Sequence, residues 1–124
     1  MCETESPNVQ VVLNIPELLA QLEDDRALLG ELLEIFKEEC PPLLRSLAEA
    51  VSGKDARVVE RTSHNLKGML STLSAPRASS AASQLEQMGR TGEMSGCRGT
   101  LTILEAEVVS LLVELENCLE TAEQ

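Results

Sequence analysis

Apolar residues recur along most of this 124-residue chain with a helical period, not with the alternation of a half-buried strand. Asn14-Ile15-Pro16-Glu17 reads as a helix start, with an Asn cap, an early proline and a glutamate at the third helical position. A short helix is therefore expected over 15–22, ended by Glu23-Asp24-Asp25. A second is expected over 25–51, with its apolar stripe at Leu28, Leu32, Ile35/Phe36, Leu43, Leu47 and Ala50/Val51. Pro41 and Pro42 fall inside it, and proline costs ~3 kcal/mol or more in a helix interior, so a kink or a break is expected near Cys40. The stripe keeps its phase across the prolines, which favours one kinked helix over two.

Ser52-Gly53-Lys54-Asp55 reads as a turn ending in a good cap. A third helix follows over 56–73, closed by Ser74-Ala75 before Pro76. The fourth, over 76–90, is built on small residues (Ala78, Ser79, Ser80, Ala81, Ala82, Ser83) that let neighbouring backbones come close. The three glycines in 91–99 predict a loop. The last helix, over 100–120, carries a regular stripe: Leu101, Leu104, Val108, Leu111, Leu115, Cys118/Leu119. The expected fold is all-α: an antiparallel four-helix bundle over 14–120 with a short extra N-terminal helix. Residues 1–13 read as a flexible tail with an extended stretch at Val9–Leu13, and 121–124 as a second tail.

Composition supports the helices and removes several functions. There are 21 leucines, one phenylalanine and no tyrosine or tryptophan, which suits helices packed on helices and counts against base stacking on single-stranded nucleic acid. Ten basic residues against 21 acidic ones give a net charge of −11, which argues against duplex DNA and anionic membranes. Cys2, Cys40, Cys97 and Cys118 form no CxxC unit and have one histidine to help them, so no metal site is expected. Free thiols, an acidic start and no run of the ~20 apolar residues that span a bilayer predict a soluble, cytoplasmic protein. No phosphate-binding loop of the GxxxxGK[ST] or GxGxxG type is present.

The sole histidine, His64, is the one residue of unusual interest. On a wheel of about 100° per residue, Val59, Thr62, Leu66, Met69 and Leu73 fall within about 45° of the side opposite His64. His64 is thus expected at the centre of the third helix's solvent face. Arg57, Glu60, Arg61, Lys67, Gly68 and Ser71 share that face. From Lys54 to Arg90 there are six basic and three acidic residues, a positive island in an acidic chain that suits an anionic group or an acidic partner. Gly68 costs ~1 kcal/mol relative to alanine inside a helix. It removes a side chain one turn from the imidazole, as close approach of another molecule would require.

His64-Asn65-Leu66-Lys67-Gly68, with Leu85-Glu86-Gln87-Met88-Gly89-Arg90 on the next helix, closely resembles the histidine-containing phosphotransfer (HPt) domains of bacterial phosphorelays. Leu32-Leu33-Glu34-Ile35-Phe36 upstream fits the same family, and the resemblance spans about 15–120. It implies that His64 accepts a phosphoryl group from a receiver-domain aspartate and passes it to another receiver. It further implies that Lys67 offsets phosphoryl charge, that Gly68 gives the receiver room and that Arg90 helps the same face. Arg61, Gly68, Ser71 and Arg90 make the expected receiver-docking surface, while Lys67 and Glu86 are expected to act with His64 in the transfer itself. A Gln or Glu at the position of Glu86 commonly contacts the histidine in this family. The tight Pro76 junction also sets Glu86 and His64 at similar heights on antiparallel neighbours.

The partners implied are a response-regulator receiver domain and a hybrid histidine kinase, with Mg²⁺ bound by the receiver and no cofactor by this chain. The chain has no ATP site and is expected to be a phosphocarrier, working as a monomer. A non-catalytic helical scaffold explains the bundle equally well but not Lys67, Gly68 and the basic island together. A hydrolase with His64 as general base lacks any second group fixed by spacing.

Overall fold

The computed structural model describes residues 14–122, with side chains through residue 120. The two extreme tails, including the stretch Val9–Leu13, lie outside the described residues. Five helices follow one another: α1 (Ile15–Gln21), α2 (Arg26–Ser52), α3 (Ala56–Thr72), α4 (Pro76–Thr91) and α5 (Cys97–Ala122). Local chemistry sets their starts. The side chains of Asn14, Asp25 and Asp55 accept from the backbone N–H groups of Glu17, Leu28 and Val58 at 3.1, 3.0 and 3.3 Å, taking up amides that a first turn leaves unpaired. Helix α4 has no side-chain cap and begins on Pro76, which has no N–H to satisfy.

The four long helices form a ring in which α2 touches α3, α3 touches α4, α4 touches α5, and α5 returns to α2. Its core is mostly leucine, with Phe36 as the one aromatic anchor at 1% exposure. The predicted stripe of α5 is the buried one, from Leu101 through Leu115. Backbone contact ties α1 to the far end of the α3–α4 hairpin, where the Asn14 N–H donates to the Ser74 carbonyl at 2.9 Å.

Three expectations need correction. In the first half of α2 the buried stripe is Leu29, Leu33, Phe36 and Cys40, one residue on from the predicted one, while Leu28 and Ile35 are 37% and 49% exposed. Paired leucines fit either phase, and counting Cys40 as apolar selects the observed one. The prolines do not break α2, which runs on as one helix, as the sequence favours. They leave the carbonyls of Lys37 and Glu38 without an i+4 donor, and both residues are exposed to water. The predicted loop 91–99 is shorter, because α5 begins at Cys97, whose buried thiol seats that first turn against the sulfurs of Met88 and Met94 at 3.7 and 3.8 Å. Finally, α5 continues to Ala122, two residues into the predicted tail, since nothing after Glu120 breaks a helix.

Three junctions carry backbone strain, the first at Glu23 and Asp24 between α1 and α2, with φ of 54° and 62°. Lys54 and Ser74 each take a left-handed φ of 56° where α2 meets α3 and α3 meets α4. Ser74 stands there without the freedom of glycine, and its buried hydroxyl has no hydrogen-bond partner.

Candidate functional site

The site is built where α3 and α4 press together. Gly89 makes this possible: a Cβ there would lie 2.5 Å from the Glu60 nitrogen and 2.7 Å from the Ala56 carbonyl oxygen. With the two backbones this close, Glu86, one turn before Gly89, reaches across to α3. Its side chain is 6% exposed, whereas the His64 side chain beside it is 65% exposed. The wheel therefore places His64 correctly, with Val59 and Leu66 fully buried behind it. The buried face is wider than the wheel suggests, since Ser63 and Leu70 on its α4-facing flank are also fully buried.

Glu86 is the hub. Its Oε2 lies 2.9 Å from His64 Nδ1 and 2.9 Å from Arg90 Nη2, and its Oε1 is 2.7 Å from Lys67 Nζ. Arg90 also donates to Glu60 Oε2 at 3.3 Å and Gln87 Oε1 at 3.2 Å. The hydrogen bond from Lys67 is the main reason that the Glu86 carboxyl is held below the ordinary carboxylate value; burial opposes it, and the His64 contact adds to the lowering. An ionised Glu86 can only accept, so the His64 contact selects the tautomer with its proton on Nδ1. Nε2 then carries the free lone pair. This one contact both orients the ring and makes its other nitrogen nucleophilic.

A groove of about 460 Å³ opens beside the imidazole, lined by Arg57, Glu60, Arg61, Asn65 and Arg90 with His64 and Glu86. Arg57 and Arg61 make no hydrogen bond or ion pair among the described residues, so their guanidinium groups remain available. On the other side of His64, a Cβ on Gly68 would meet nothing within 4 Å, so packing inside the chain does not require the glycine.

The structure thus brings His64, Lys67, Glu86 and Arg90 into one network and leaves Arg61 at its edge. Ser71 stays apart from it. Its hydroxyl pairs with that of Ser79 at 3.0 Å and ties α3 to α4 nearer their junction. Sequence reasoning did not single out Gly89, because a glycine just before Thr91-Gly92 looks like part of a helix end. Arg57 was visible on the His64 face, yet nothing in the sequence marked it as unpaired.

The bundle thus presents one exposed histidine, anchored by a buried carboxylate of the neighbouring helix. The chain matches the Hpt domain family over residues 31–124 and belongs to it. Members of this family carry phosphoryl groups on histidine in phosphorelays, interacting with receiver domains and kinases. Among solved structures, the fold is similar to that of histidine-containing phosphotransfer protein B (HptB) from Pseudomonas aeruginosa PAO1. The two share 24% sequence identity, over 89% of this chain and 96% of that one, with a TM-score of 0.82. No curated protein matches the chain. Among the described residues, no helix is long and apolar enough to cross a membrane.

Proposed function

We propose that His64 is the phosphoryl-accepting residue of a relay in which this chain, as a monomer, takes the group from one receiver aspartate and delivers it to another. The observation that supports this most is the 2.9 Å contact between His64 Nδ1 and a buried Glu86, on a ring that otherwise faces solvent. Nε2 attacks the phosphorus of the aspartyl phosphate in line. The N–P bond forms as the P–O bond to aspartate breaks, and the aspartate leaves as a carboxylate. The imidazole then bears positive charge, which Glu86 offsets through the Nδ1 proton. Return transfer is the same step reversed.

Little else is asked of the protein, because phosphoryl transfer depends mainly on positioning and charge compensation. Lys67 and Arg90, held on Glu86, set positive charge beside the incoming oxygens, and Arg57 and Arg61 face the acidic rim of a receiver pocket. Gly68 leaves room for the receiver backbone. The Mg²⁺ of the reaction belongs to the receiver's acidic pocket, and this chain binds no cofactor of its own. A hybrid histidine kinase, which carries a receiver, fits as a donor, and the cytoplasm, where such receivers work, as the location.

Incubation with a radiolabelled phospho-receiver tests the reading. The chain should acquire label that survives base and is lost in acid, and Lys67→Ala should acquire it several-fold more slowly. No label, or acid-stable and base-labile label, contradicts it.

A further inference from the structure

Helix α5 lies diagonally across the ring from α3, and its outward face is unlike the rest of this acidic molecule. Ile103, Val109 and Val113 are 55%, 62% and 52% exposed, three of the five exposed large apolar side chains among the described residues. Ala106, Ser110 and Asn117, all exposed, complete a stripe that carries no charged side chain over 103–117 and ends at the exposed Glu120. On a wheel of about 100° per residue, Glu105 and Glu114 flank the stripe about 80–100° to either side. Neither makes an ion pair among the described residues. The stripe continues into a groove of about 440 Å³ between α5 and α2, lined by Pro41, Leu44, Val108 and Leu112, with Glu105 and Lys37 as its charged members.

We infer that this face is a second docking surface, and that its occupant is a helix of another polypeptide, apolar along one side and lined with Lys or Arg along its edges. The apolar side would fill the stripe and groove, as amphipathic helices fill other hydrophobic grooves. Its basic edges would meet Glu105 and Glu114. A second copy of this chain is the poorer occupant, since stripe against stripe would bring the same carboxylates face to face. Because the groove lies between α2 and α5 while His64 faces the α3–α4 side, this helix and a receiver can be bound at once. The surface would hold the carrier near its relay without competing with phosphoryl transfer.

The probe is a synthetic amphipathic Leu/Lys helical peptide, with a scrambled peptide of the same composition as control, titrated into isotope-labelled protein and followed by backbone amide NMR. Shifts should centre on residues 102–117 and the α2 side of the groove, with affinity about ten-fold above the scrambled peptide. Val109→Glu with Val113→Glu should remove that margin, and Glu105→Lys with Glu114→Lys should transfer the preference to a Leu/Glu peptide. All four positions are exposed, so the fold should persist, as circular dichroism will show. Saturating peptide should leave the rate of labelling by a phospho-receiver unchanged. Equal affinity for both peptides, no binding, or shifts centred on Glu60 and Glu86 overturn the inference. So does sedimentation showing a dimer that Val113→Glu dissolves, which would make a second copy the occupant.

Discussion

Two glycines inside helices of this bundle should respond to the same substitution with opposite signs. At Gly89 an alanine Cβ would fall 2.5 Å from the Glu60 nitrogen, about 0.9 Å inside the 3.4 Å at which ordinary contact begins. The atoms struck are backbone, so no rotamer change relieves them and α4 must move away from α3. Overpacking of this kind costs about 1–3 kcal/mol, here toward the upper end, and the better helix propensity of alanine returns up to ~1 kcal/mol. Gly89→Ala should therefore lose about 2 kcal/mol, or about 8 °C in Tm for a chain of this size. At Gly68 a Cβ meets nothing within 4 Å, so Gly68→Ala should gain up to ~1 kcal/mol. Thermal and urea unfolding of the two variants measure the difference directly. The displacement at Gly89 also acts on chemistry: moving α4 by that amount would stretch the 2.9 Å contact between Glu86 and His64 beyond hydrogen-bond range. Labelling by a phospho-receiver should fall several-fold in Gly89→Ala. A Gly89→Ala protein as stable as the parent would refute the close packing of α3 on α4 on which the site depends.

Ser74→Gly should raise stability by about 1 kcal/mol in urea unfolding, because it relieves a left-handed φ of 56° and removes an unpartnered buried hydroxyl. Glu86→Gln should cost about 1 kcal/mol at neutral pH through its lost ion pairs with the half-exposed Lys67 and Arg90. The folded pKa of Glu86 lies below its ordinary value, so this advantage is full above the unfolded value near ~4.3 and is lost as pH falls through the lower folded value. The gap between parent and Glu86→Gln should therefore close in acid; a gap independent of pH contradicts the ion pairs. Gly68→Gln should give a protein at least as stable as the parent in thermal unfolding that accepts phosphoryl several-fold more slowly, because the added side chain meets only the incoming receiver. A normal rate would mean that the receiver does not approach there.

The legibility of this fold varied with the kind of interaction that decides each element. The caps at Asn14 and Asp55 are local chemistry, and each sits where the sequence places it, while Asp25, read as the first residue of its helix, is the cap one position before it. The exposure of His64 is also local, because one helix wheel contains everything that determines it. The phase of α2 is less legible: adjacent leucines satisfy two faces at once, and the choice of Leu29 and Leu33 over Leu28 and Leu32 hangs on reading Cys40 as a core residue. At the site, spacing and family resemblance paired Glu86 with His64. That Glu86 is buried, and that Lys67 and Arg90 are both held on it, depends on how closely α4 approaches α3, which Gly89 controls through a backbone contact that the sequence does not display. The start of α5 was misread because its glycines outweighed a cysteine whose role is to be buried.

In the proposed relay one atom, Nε2 of His64, carries the phosphoryl group while Glu86 holds the other ring nitrogen. NMR of protein with a nitrogen-labelled imidazole, phosphorylated by a receiver domain, reads this directly through the coupling between phosphorus and the ring nitrogen it joins. Phosphorus should be bonded to Nε2 with the Nδ1 proton retained, and none should be incorporated in His64→Gln, which should fold normally because the ring is mostly in solvent. Phosphorus on Nδ1, or label persisting on the His64→Gln protein, would contradict the proposed relay.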